Sequence, residues 1–184
     1  MGNIPQGNVC NLPFRDRQFQ VVLALDLLEH LEDDQKALQE INRVLQPGGT
    51  ALFTVPAFSG LWGVQDRAGR HWRRYQLGEL RERVRRAGLE CVESFYFNYL
   101  LFFPIWMVRR VIQGFRLPVE NENRITSGLL NGFFKRIFFF DVASAPKIRP
   151  PFGVSIFLRA RKRPSRTFRE WNEKMVNRYN PETY

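Results

Sequence analysis

The sequence predicts an α/β protein whose strands are joined by crossover helices. Three observations carry this. Residues 20–25 (QVVLAL) and 50–55 (TALFTV) are short, almost continuous apolar runs, the pattern of strands buried on both faces. Between them, Ala37, Leu38, Ile41, Val44 and Leu45 recur at three- and four-residue steps, which is one apolar stripe of a helix over residues 33–45. Further along, helix and strand patterns alternate again, and strand–helix–strand spacing requires crossover connections.

Each element has its own signals. Asp33 or Asp34 caps the first helix, and Pro47-Gly48-Gly49 reads as its stop. Pro56 ends the second strand. Residues 76–87 form another amphipathic helix, with Leu77, Leu80 and Val84 inward and Gly88 at its end. Residues 89–97 form the third strand, with Leu89, Cys91, Phe95 and Phe97 expected on one face, and residues 153–160 (GVSIFLRA) form the fourth. Between these last two strands lie two apolar stretches, residues 99–108 (YLLFFPIWMV) and 132–140 (GFFKRIFFF). A membrane-spanning helix needs roughly 20 apolar residues, and Pro104, Arg109-Arg110 and Lys135-Arg136 interrupt these runs. They are expected as core or lid helices, or as an apolar substrate entrance with arginines at the headgroup level.

Composition bounds the rest. With 184 residues, 44% hydrophobic and 14% aromatic, the chain is one folded domain and not a disordered tail. Cys10 and Cys91 stand far apart without metal-ligand spacing, so neither a disulfide framework nor a zinc site is expected, which fits a reducing cytoplasm. The first residues lack a charged start followed by an apolar core, so no signal peptide is expected. The net charge of +10, concentrated in residues 67–86 and 159–169, implies either attraction to an anionic partner or a solvated basic surface.

Five phrases in order then resemble one family. Residues 7–14 (GNVCNLPF), 19–30 (FQVVLALDLLEH) and 41–49 (INRVLQPGG), with 61–75 (LWGVQDRAGRHWRRY) and 151–155 (PFGVS) following, are similar to the class I S-adenosylmethionine-dependent methyltransferases, in particular their methyltransferase-11-like branch. The resemblance covers about residues 7–162. It implies a Rossmann-like sheet, mostly parallel with an antiparallel last strand, and S-adenosylmethionine as cofactor. It divides the chain into a partial methyltransferase domain over residues 1–162, in which 98–150 is an apolar insertion or lid, and a basic tail over 163–184. In the family a glycine-rich loop follows the first strand and an acidic residue ends the second. Neither segment has a counterpart here, so the sheet is expected to miss its first strands. That is the pattern of a truncated gene product, of a start placed too late, or of a chain completed by a partner.

The same resemblance assigns residues. Asn8, Val9 and Cys10 fall where the family holds the adenine, although a plain turn explains the asparagine equally well. Leu25, Asp26 and His30, with Glu29 among them, sit at the carboxyl end of a strand, where open α/β sheets bind ligands. His71 is the expected base, with Asp66 and Tyr75 near it, or else a surface histidine in a basic loop. Arg70, Arg73 and Arg74 are expected to clamp an anionic group, and Trp62 and Trp72 to line the pocket or to pack. Asp26 and His30 lie four apart, but no HExxH pattern exists, and no metal site is expected. The implied reaction is methyl transfer to a small-molecule or lipid-linked acceptor with an anionic head, by a cytoplasmic protein making peripheral membrane contact. The alternatives are an inactive remnant or binding subunit and, against the absence of an RNA-binding module, a nucleic-acid methyltransferase.

Overall fold

A computed structural model describes residues 6–114 and 128–164, the latter with backbone alone for 128–131, as for residues 112 and 113. The basic tail therefore lies, from residue 165 on, outside the described residues. The strands are β1 (Phe19–Leu25), β2 (Leu45–Pro56), β3 (Leu89–Phe97) and β4 (Ser155–Lys162), in spatial order β1-β2-β4-β3. β1 and β2 run parallel, while β4 runs antiparallel to both β2 and β3. The antiparallel last strand implied by the resemblance is thus present, inserted between two strands that precede it in sequence.

Helix α1 (Asp34–Val44) follows β1, and the Asp33 side chain accepts the Lys36 amide at 3.0 Å, as the capping signal implied. The stop after it is different from expectation. The chain leaves α1 and enters β2 at once, and Pro47-Gly48-Gly49 lies inside the strand. The pairing jumps from Phe19 with Leu45 to Val21 with Thr50, so the segment is a bulge rather than a helix-ending loop. Gly48 supplies its φ of +81°, which a side chain would make costly.

The main core lies on one face of the sheet. Ala24, Ala51, Phe53, Val55, Ile156, Leu158 and Ala160 point there, against Ala37, Leu38 and Ile41 of α1 and Leu80 and Val84 of α3 (Leu77–Arg86). The expected face of β3 is corrected by a second irregularity. Val92 is skipped in the register between Cys91 and Glu93. Beyond it the alternation inverts, so Leu89, Cys91 and Tyr96 join the core, whereas Phe95 stacks on Phe157 across the sheet's other face at 5.1 Å. On that other face β1 leaves Val21, Leu23 and Leu25 more than half exposed, so this strand is not buried on both faces as its apolar run implied.

Two longer helices, α4 (Phe102–Gly114) and α5 (Gly128–Ile148), separate β3 from β4 and extend past the apolar runs that predicted them. Both are anchored by buried charge. Asp141 accepts the Asn98 and Leu100 amides at 2.6 and 2.9 Å, pinning α5 to the end of β3, and Arg109 of α4 donates to the Leu61 carbonyl. No helix among the described residues is long and apolar enough to cross a membrane.

Candidate active site at the carboxyl ends of β1 and β2

The chain leaves β1 through Asp26, whose φ of +48° is rare for a residue with a side chain. Its amide donates to the carbonyl and to Oγ1 of Thr54 on β2, and Thr54 Oγ1 donates back to the Asp26 carboxylate at 3.1 Å. The strained residue is thereby held at the sheet edge. A short 3₁₀ turn, Leu28–His30, follows.

A second wall comes from the segment after β2. It runs through a short helix, α2 (Val64–Ala68), that the sequence reading treats as loop, and then returns to β2: the Phe58 amide donates to the Tyr75 carbonyl and the Tyr75 amide to the Pro56 carbonyl, both at 2.9 Å. Trp72 also donates its amide to the Glu29 carbonyl at 2.7 Å. This return brings His71 against His30, with ring centroids 4.5 Å apart and edge to face.

Asp66, fully buried, organises that wall. Arg74 binds both of its carboxylate oxygens, at 2.7 and 3.0 Å, the Gly63 amide donates to it at 2.7 Å, and His71 Nδ1 lies 3.0 Å away. Arg109 reaches in from α4 at 3.8 Å. Burial works to raise the Asp66 pKa, but Arg74, Gly63 and His71 outweigh it and hold the carboxyl below its ordinary value. Glu29 is the contrary case. Burial pushes it up to about 7, the nearby Asp26 adds to the effect, and its Oε2 is buried without a hydrogen-bond partner.

These side chains enclose a cavity of about 260 Å³, lined by Asp26, Glu29, His30, Gln65, Asp66, His71, Arg74 and Arg109 with Pro56, Val154 and Ser155. Of the residues expected from the sequence, Asp26, His30, Asp66, His71 and Arg74 meet here. Tyr75 does not. It is fully buried in the core, donates to Asp34 at 2.7 Å, and has its hydroxyl pKa raised by burial and by that carboxylate, so it is a packing residue and not a base. Arg73 is turned away from the cavity toward the Glu32 carbonyl and Asp34, Arg70 is exposed, and Arg74 is committed to Asp66 and the Ala57 carbonyl, so the three arginines form no common clamp. Trp62 is half-buried and Trp72 exposed, and neither lines the cavity. Leu25 points out of the other face of β1. Asn8 closes a tight turn, accepting the Cys10 amide at 2.9 Å, and Cys10 lies beside the Asp33 carbonyl; Val9 and Cys10 pack against the core, and none of the three lines the cavity. The sequence reading missed Gln65 and Arg109. Arg109 carried a signal, an arginine inside an apolar run, which requires a buried partner.

Replacing Tyr75 with phenylalanine separates packing from catalysis. Loss of one hydrogen bond to a buried carboxylate is expected to cost about 1.5–3 kcal/mol, read as a lower urea midpoint at unchanged slope. The cavity geometry is expected to stay intact.

Comparison with known proteins bears on the family and the fold. Residues 2–53 match the family model described as a methyltransferase domain. A probable S-adenosylmethionine-dependent methyltransferase of Mycolicibacterium smegmatis is 33% identical over 94 residues, half of this chain and 37% of that protein. The chain thus spans well under two thirds of that relative. Among solved structures, a proposed methyltransferase of Bacillus halodurans matches 86% of this chain and 70% of its own, with TM-score 0.50 and 20% identity. The [4+2]-cyclase SpnF matches 86% of this chain and 55% of its own, with TM-score 0.51 and 22% identity. Likeness at this level speaks to the fold, which can host more than one chemistry.

Proposed function

From a chain with the fold of the class I S-adenosylmethionine-dependent methyltransferases, whose residues 2–53 match the methyltransferase family model, we propose a methyltransferase acting on a small-molecule or lipid-linked acceptor. The observation that carries this is the Asp66–His71 pair facing a polar cavity at the carboxyl ends of two parallel strands. S-adenosylmethionine supplies an already activated methyl group. The protein's own task is then to position the acceptor, exclude water and take its proton. With Nδ1 donating to Asp66, His71 keeps its lone pair on Nε2, the tautomer that a base requires.

The fit to the cofactor is partial. Asp26 presents a fixed carboxylate at the cavity, and the Asn8 oxygen, which accepts one amide, retains a second lone pair. Among the described residues no glycine-rich loop follows a strand, so contacts to the remainder of the cofactor are not assigned. Calorimetric titration of the chain with S-adenosylmethionine, with S-adenosylhomocysteine as comparison, tests the reading. Micromolar binding is expected. A folded sample that binds neither would overturn it for this chain alone and favour a remnant or a binding subunit.

The lipid-linked acceptor is the finer part of the proposal. On α4 and α5, Phe103, Met107, Phe133, Phe139 and Phe140 are each about three-fifths exposed, far more apolar surface than isolated surface residues present. Arg110 sits 5.6 Å over the Trp106 ring and Lys135 5.8 Å over Phe139, the pairing of basic and aromatic groups suited to a headgroup boundary. Vesicles rich in anionic lipid are expected to sediment the chain. Phe139→Glu is expected to weaken that binding by about tenfold, the worth of burying one such ring.

A further inference from the structure

We infer that Glu29, His30 and His71 form a binding site for a divalent transition-metal ion. Their ligand atoms all lie within 4.8 Å of one another, although the sequence carries no metal-ligand spacing and none was expected from it. An ion with bonds of about 2.1 Å holds its ligand atoms roughly 3–4 Å apart, so rotamer-scale adjustment completes the set.

Two further features point to a ligand. Glu29 is 1% exposed, lines the cavity, and keeps Oε2 buried without a partner. A buried carboxylate oxygen in that state is costly unless something positive meets it. His71 is held through Nδ1 by the buried Asp66, the carboxylate–histidine pairing that orients metal-ligating imidazoles. Gly69 leaves room beside the remaining nitrogen, since a Cβ there would come within 2.9 Å of His71 Nε2. The acidic groups of Asp26, Glu29 and Asp66 face the guanidinium groups of Arg74 and Arg109 around one cavity, so a cation does not enter a purely basic site.

Two imidazoles and one carboxylate suit zinc, cobalt, iron or manganese better than magnesium or calcium, whose preferred ligands are oxygens. The remaining coordination positions open toward the cavity. Where the acceptor brings an anionic oxygen, as proposed above, that oxygen is a natural further ligand, a link that rests on the methyl-transfer reading. The ion site itself stands on the geometry alone. His71 Nε2 cannot hold both an ion and a proton. With the ion bound, His71 is a ligand, and the ion would lower the pKa of a coordinated acceptor hydroxyl so that its proton passes to solvent water.

The test is equilibrium dialysis of the tag-free, metal-stripped full chain against Zn²⁺, with bound zinc counted by atomic absorption. One equivalent bound in the micromolar range is expected. His30→Ala and His71→Ala are each expected to weaken binding by more than about 100-fold, the upper end of what losing an outer-shell partner costs. His30 is exposed, so its variant is expected to melt as the wild type does, and it decides the matter should His71→Ala fail to fold. Co²⁺ gives a second readout: visible absorption characteristic of imidazole ligation, lost in His30→Ala. Absence of zinc binding in the wild type, or binding unchanged by His30→Ala, would overturn the site. Titration of the metal-stripped chain with S-adenosylmethionine is a separate measurement, so failure of the methyltransferase reading and failure of the ion site are told apart.

Discussion

Asp66→Ala is expected to cost about 3–5 kcal/mol of folding stability, the range for removing one partner of a buried ion pair. The aspartate is fully buried and accepts four hydrogen bonds, two from Arg74 and one each from the Gly63 amide and His71, while Arg109 approaches at 3.8 Å. Alanine would leave the nearly buried Arg74 guanidinium without its counter-charge and the first turn of α2 without its cap. In a chain of this length the melting temperature is expected to fall by about 10 °C or more. The pH dependence has a definite sign. Asp66 titrates below its ordinary value of 3.8, so the wild type binds fewer protons folded than unfolded. Its contribution is complete above that value and is lost as pH falls through the lower folded pKa. The gap between wild type and variant in chemical denaturation is therefore expected to be constant near neutrality and to close in acid. A variant as stable as the wild type at pH 7 would mean that Arg74 and Arg109 find other partners, and that Asp66 does not hold the wall together.

How far the sequence revealed this site depends on distance along the chain. The β1–α1 unit was legible because apolar runs and helical stripes are local, and α1 falls within a residue of its expected bounds. The two bulges were not. Pro47-Gly48-Gly49 carries the signature of a helix stop, and only pairing with β1 makes it part of a strand. Nothing in the composition of residues 89–97 marks Val92 as skipped, yet that skip decides which phenylalanines enter the core. The same limit applies to function. Asp66, His71 and Asp26, named from family-like phrases, line the cavity, whereas Tyr75, named with them for its proximity in sequence, does not. Adjacent residues on an extended segment point opposite ways, so Arg74 lines the cavity while Tyr75 enters the core. The Glu29–His30–His71 grouping was invisible because it needs the segment after α2 to fold back, through the backbone bonds of Phe58, Trp72 and Tyr75.

His71→Ala is expected to have the largest effect on turnover, lowering methyl transfer by about 10²- to 10⁴-fold, as removal of a positioned acid–base group does. The affinity for S-adenosylmethionine is expected to stay within about threefold, since Asp26 and its Thr54 contacts lie on the other wall. Single-turnover transfer from radiolabelled cofactor to an anionic amphiphile accepted by the wild type measures the first quantity, and calorimetry the second. The partner variant His30→Ala then assigns the role. A histidine acting only as base takes the acceptor proton whether or not His30 is present, and His30→Ala would transfer at nearly the wild-type rate. A histidine acting as metal ligand shares its ion with His30, and the two variants would fail together, each recovering in part when zinc is raised. Equal rates in wild type and His71→Ala would mean that the acceptor proton leaves directly to water. The Asp66–His71 pair would then be a structural contact beside the cavity, because aligning the acceptor with the methyl group requires no base once the nucleophile has lost its proton.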